Sequence, residues 1–200
     1  MKKTKNLRTA LIDGTLILAL AFGITSCGNN AKTEDTEAVA DEQNEAKFDD
    51  NKTENDADFL VNAAEINLTE IELGTLATTN SQVAEVKELG KMMVDEHTKA
   101  LNDLKAMAEK KMMTIPTELT ADGKDEYKKL SEKTGKDFDK KYCDMMVSGH
   151  KNAINKFERA SEKSQDGDIK AWATSMLPAL RTHLDHSMTC QKMVDGKKDY

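Results

Sequence analysis

The sequence predicts an all-α fold: four long helices packed as a bundle, with one short helix connecting the second to the third. Three observations predict it. The stretch KMMVDEHTKALNDLKAMAE (Lys91–Glu109) recurs fifty-three residues on as DMMVSGHKNAINKFERASE (Asp144–Glu162). Two segments sharing Met-Met-Val-x-x-His at the same offset are expected to turn equivalent faces to one centre. Apolar residues return at spacings of three and four in four separate stretches, and no segment reads as a strand. The 200 residues include five Phe, three Tyr, one Trp, only two Pro and eleven Met, a composition that favours helices.

The N-terminus reads as an address. Met1 to Arg8 is basic, and the longest clean apolar run, Leu16–Ile24, is too short to span a bilayer. Such a preamble is a secretory signal. Ile24-Thr25-Ser26-Cys27 resembles a bacterial lipoprotein cleavage site, so residues 1–26 are expected to be removed and Cys27 acylated. Two or more acyl chains would anchor the protein firmly to a membrane. Gly28 after the Cys favours the outer membrane of a bacterial cell envelope. From Gly28 to Ala57, ten acidic residues face three Lys, and Val39 and Phe48 are the only large apolar side chains. Residues 27–57 are therefore expected to form a lipidated Cys and a disordered acidic tether, with an r.m.s. reach on the order of 30 Å.

The bundle is expected over 58–193 and a disordered tail over 194–200. The first helix, with Asp56 or Asp58 as N-cap, presents Phe59, Ala63, Ile66, Glu70, Leu73 and Ala77 on one stripe. After Asn80-Ser81 the second presents Val86, Gly90, Met93, His97, Leu101, Leu104 and Ala108, and ends before Pro116. A short helix over Lys124–Lys133 precedes Gly135. The third long helix presents Tyr142, Met146, His150, Ala153, Phe157 and Ala160. The fourth presents Ile169, Ala173, Met176, Leu180, His183, Ser187 and Cys190, with Pro178 inside it, where a kink is expected. This connectivity is ferritin-like as well as that of a plain bundle.

Four buried polar residues stand out. His97, His150 and His183 each occupy an apolar stripe, one per helix, and Glu70 does so on the first helix. Burying such groups without partners is costly. Three His and one Glu converging from four helices make a candidate site for zinc, copper or iron. The alternative is that each His is a satisfied core residue, donating to a carbonyl, to Glu70 or to Tyr142. The residue three before each His is Val94, Val147 or Leu180, so the Glu-x-x-His of di-iron carboxylate bundles is missing. Counting from the turn, His97 is level with Glu65 rather than Glu70. His186, three residues after His183, is either a second chelating group or merely exposed. In each Met pair one side chain points inward and its neighbour about a hundred degrees away, as core filler does.

Cys143 lies seven residues before His150, and Cys190 seven after His183. If these helices are antiparallel and the two His are level, the two Cys are level too. An exported location permits a disulfide, closing a loop of 46 intervening residues and worth roughly 4 kcal/mol by the chain-entropy argument. The alternative is two free thiols.

FLVNAAEINLTEIELGTLA (Phe59–Ala77), KMMVDEH (Lys91–His97), LSEKTGKDFDKKY (Leu130–Tyr142), MMVSGH (Met145–His150) and MLPALRTHL (Met176–Leu184) together resemble the "domain of unknown function 4142" family, over residues 58–190. The resemblance implies a bacterial, exported, ferritin-like four-helix protein, often labelled an outer membrane protein, with no established reaction. It places hallmark positions at Glu70, Glu72, His97, Phe138, Asp139, Tyr142, His150, Pro178 and His183, and so a core polar network at Glu72, Asp139 and Tyr142. Cys143 and Cys190 stand outside that pattern.

The formal charge is −7. Residues 1–26 carry a net +3, which leaves −10 on the remainder, with no electrostatic footprint for nucleic acid. There is no Gly-rich phosphate loop for a nucleotide, no nucleophile elbow and no paired-Cys zinc motif, so nothing in the sequence identifies an enzyme. Two readings stand: an envelope lipoprotein whose bundle is a binding or structural module of unknown partner, or a metal-binding stress protein using the His/Glu cluster.

Overall fold

The computed structural model describes residues 35–196. The signal segment, Cys27, the start of the tether and residues 197–200 lie outside the described residues. Six helices follow one another: α1 (Thr36–Glu45), α2 (Asn51–Asn80), α3 (Ala84–Lys111), α4 (Ala121–Ser131), α5 (Gly135–Lys163) and α6 (Gly167–Gly196). No strand occurs among the described residues. The four long helices are α2, α3, α5 and α6, and α6 runs through Pro178 without a break.

Two apolar clusters fix the directions. One joins Ala57 and Leu60 at the start of α2, Leu104 and Ala108 at the end of α3, Phe157 and Ala160 at the end of α5, and Ile169 and Ala173 at the start of α6. The other joins Ala77, Val86, Phe138, Tyr142, Cys190 and Val194, from the opposite ends of the same helices. So α2 and α6 run one way, α3 and α5 the other. The packed pairs are α2 with α3, α5 with α6, α2 with α5, and α3 with α6. Every packed pair is antiparallel. Segment 112–134 carries the chain back along the bundle, and its helix α4 packs on α2 and α5.

The α2–α3 contact is a glycine crossing. A Cβ on Gly74 would stand 2.7 Å from the carbonyl oxygen of Gly90, and one on Gly90 would stand 2.8 Å from that of Gly74. Only residues without a side chain allow backbones this close. The crossing sets the depth at which the next turns of α2 and α3 meet, where His97 lies.

Several boundaries differ from expectation. The acidic segment is not a tether as far as Ala57: α1 fills 36–45 and α2 starts at Asn51. Its composition describes a solvated face, and a few specific contacts order it. Ala40 is buried and Phe48 packs on the first cluster. Asn44 donates to Thr114 O at 2.8 Å and accepts from Thr114 N at 2.7 Å. Asp50, not Asp56 or Asp58, caps α2, accepting from Lys52 N and Thr53 N. Asp56 is buried instead, and its carboxylate accepts from Gln165 N and Asp166 N in the α5–α6 turn. The expected tail from 194 is also shortened, because α6 continues to Gly196 and Val194 is fully buried.

Candidate metal centre

The inward stripes of α3, α5 and α6 bring His97, His150 and His183 together at mid-bundle. All three are buried, with ring centroids 5.6, 5.3 and 5.2 Å apart pairwise. One nitrogen from each ring lies within 4.8 Å of the others.

The partners of the remaining nitrogens decide the chemistry. Nδ1 of His150 lies 2.8 Å from Met146 O. A carbonyl only accepts, so this nitrogen carries the proton and Nε2 holds the lone pair. Nε2 of His183 lies 2.8 Å from the Glu96 carboxylate, so it donates, and Nδ1 holds a lone pair in the neutral ring. Nδ1 of His97 lies 2.9 Å from Oδ1 of Asn67. The amide of Asn67 is oriented by its own Nδ2, which donates to Ala63 O at 2.6 Å. Its oxygen must therefore face His97, and Nδ1 of His97 donates. The lone pair of His97 Nε2 is left buried without a hydrogen-bond partner.

Each ring thus turns one nitrogen outward to an acceptor, and one nitrogen of each ring lies within 4.8 Å of the others. His150 Nε2 and His183 Nδ1 are 3.3 Å apart, two lone pairs facing each other unless one ring takes a second proton or a cation lies between. Burial opposes an extra proton on His150 and on His97. It pushes His150 down to about 4 and holds His97 well below the usual imidazole range. The donor set fits a transition metal. Two nitrogens held by one tetrahedral zinc at 2.0–2.1 Å would be about 3.3 Å apart. Outer N–H groups tied to a carbonyl, an amide and a carboxylate are the usual support of metal-bound His.

The other expected site residues are distributed differently. Glu70 is buried, and its Oε1 lies 3.8 Å from His150 Nδ1. That is the nitrogen bonded to Met146, so Glu70 sits behind His150 and outside the converging set. Desolvation raises its pKa to about 8. Tyr142 and Asp139 are buried, whereas Glu72, two positions from Glu70 on α2, is on the solvated side. The polar network expected from Glu72, Asp139 and Tyr142 therefore loses Glu72. Burial raises the Tyr142 phenol well above its ordinary range, and the nearby Glu70 adds to the effect. His186 is exposed and outside the cluster. Met93 and Met146 are fully buried among apolar neighbours. Cys143 and Cys190 bring their Sγ atoms to 2.7 Å.

Asn67 and Glu96 are the residues that spacing does not single out. Asn67, three before Glu70, is a polar residue on an inward stripe, which is a readable signal. Glu96 is not readable in this way. It flanks His97 in the chain and reaches His183 across the α3–α6 seam.

These features define a class: an all-helical bundle with a buried three-histidine centre. The chain belongs to the family described as Domain of unknown function (DUF4142), which matches residues 40–189. Among curated proteins none matches it. It is similar in fold to a crystal structure of a "putative secreted protein DUF305" from Streptomyces coelicolor. That likeness has a TM-score of 0.57 at 14% identity and covers 72% of this chain and 97% of the other. No helix among the described residues is long and apolar enough to cross a membrane.

Proposed function

We propose that this protein binds one transition-metal ion, zinc or copper, through His97 Nε2, His150 Nε2 and His183 Nδ1. The observation that carries the reading is geometric: each outer nitrogen faces an acceptor, and one nitrogen of each buried ring lies within 4.8 Å of the others. Zinc and copper suit an all-imidazole set, whereas di-iron centres of helical bundles need carboxylates. Three protein ligands leave a coordination position for water or substrate, the arrangement of zinc sites that polarise a bound molecule. Nothing beyond metal binding is assigned.

The domain's setting belongs to the same proposal. The basic, short-apolar preamble ending in Cys27 supports an exported lipoprotein of the bacterial envelope, held by its acyl chains. The run of four antiparallel long helices with a crossover between α3 and α5 supports ferritin-like connectivity.

The test is elemental analysis of protein purified without a His-tag, beside a His150→Ala variant. Zinc or copper near one per chain, lost in the variant, is the expected result. A wild-type protein that retains neither metal, and whose melting temperature does not move on adding zinc, would overturn the reading.

A further inference from the structure

We propose that Cys143 and Cys190 form an intramolecular disulfide that clamps α5 to α6, two helical turns from His150 and His183. The register carries the inference. The His150 and His183 rings meet at 3.3 Å. Seven residues away on each helix, the two sulfurs are in contact at 2.7 Å. Both are thiols in this structure and both are buried, within the second apolar cluster. No third His, Cys or carboxylate among the described residues forms a metal-binding group with them. The pair is therefore placed for bonding to each other and not for ligation.

The chemistry is thiol–disulfide exchange with a disulfide oxidant of the exported compartment. Each thiol gives up one proton and one electron, the Cys143–Cys190 bond forms, and the oxidant's S–S bond breaks to leave two thiols. In the closed bundle the contact with Cys190 and burial hold the Cys143 thiol far above its ordinary range, so thiolate is scarce there. Once formed, the bond lies buried, out of reach of solvent reductants. Its consequence for the centre rests on the metal reading above; the bond itself does not. With the clamp in place, two of the three ligand-bearing helices cannot separate, and the His150–His183 distance is held before the ion arrives.

The full chain, refolded with glutathione disulfide and digested with trypsin without reductant, tests the bond. The linked pair of peptides 142–151 and 182–192 is expected in the mass spectrum, disappearing on treatment with dithiothreitol. Alkylation of both cysteines by iodoacetamide in denaturant, without reductant, would overturn it. Zinc titration of oxidised and reduced protein then tests the coupling, with a several-fold weaker Kd expected on reduction. Equal affinities would overturn the coupling and leave the bond. A linked peptide with no zinc binding in either state would count against the metal centre alone.

Discussion

Oδ1 of Asn67 lies 2.9 Å from Nδ1 of His97, and this contact selects the nitrogen that His97 turns to the centre. Because Asn67 donates to Ala63 O with its other amide atom, it cannot rotate without losing a buried hydrogen bond. The α2 helix thus adds no nitrogen to the three-histidine cluster, yet sets the tautomer of His97.

Asn67→Ala is expected to weaken zinc binding by roughly 10–100-fold, the usual cost of removing a hydrogen-bond partner of a metal-bound His. It should also destabilise the metal-free fold by about 1–3 kcal/mol, since a buried N–H is left without an acceptor. Asn67→Asp keeps an acceptor oxygen and should retain more affinity than the alanine variant. Competition against a chromophoric chelator measures both, and an alanine variant that binds as the wild type does would remove Asn67 from the site.

The metal-free protein should be most stable near pH 6.5. Burial lowers His150 to about 4 and holds His97 well below the usual imidazole range. Below pH 6.5 the unfolded chain therefore takes up protons that the folded chain refuses, and stability falls with acid by about 1.4 kcal/mol per pH unit for each ring. Glu70 acts in the opposite sense. Its folded pKa is raised from 4.5 to about 8, so its contribution is whole below 4.5 and is lost as pH rises towards 8. Between 4.5 and 6.5 the slopes of Glu70 and His150 cancel, and His97 sets the decline. Between 6.5 and 8 only Glu70 among these groups acts. Urea unfolding with a chelator should show the decline on both sides, and Glu70→Gln should flatten the alkaline branch. A variant that keeps that branch would show Glu70 ionised in the folded core.

Gly90→Ala separates helix preference from packing. In an exposed helix interior the change would stabilise by about 1 kcal/mol. Here the new Cβ would meet Gly74 O at 2.8 Å and Ala77 Cβ at 2.9 Å, backbone and a short side chain that cannot turn aside. A net loss of about 1–3 kcal/mol is expected, read as a lower melting temperature. A higher one would mean that the two helices part at little cost.

The stripes that carry His97, His150 and His183 were legible because a helix maps sequence spacing onto one face, and the buried residues of α3 and α5 follow that spacing closely. The approach of Cys143 to Cys190 was legible for the same reason, given antiparallel neighbours. Periodicity puts Glu70 on the inward face, while the count from the turn sets His97 level with Glu65 instead. The Gly74–Gly90 crossing puts Asn67 opposite His97, and Glu70 falls beside His150. α1 was illegible because Asn44 orders it through a loop seventy residues away, a contact with no local signature.

Glu96 offers the cleanest separation of metal support from fold support. Its side chain is 52% exposed, while that of the His183 to which it bonds is 4% exposed. A charge this well solvated contributes little to stability, about 0–1 kcal/mol. Glu96→Gln keeps an oxygen that can accept from His183 Nε2 but removes the negative charge that strengthens His183 as a donor to the ion. The expected outcome is an unfolding curve within about 1 kcal/mol of the wild type and a zinc affinity lower by roughly 10-fold. Glu96→Ala removes the acceptor as well and should lower the affinity further, again with little change in urea midpoint. Equal zinc affinities in wild type and both variants, measured at one pH and ionic strength, would show that His183 Nδ1 is not a ligand. A large loss of stability in Glu96→Gln would instead make the Glu96–His183 contact a structural one.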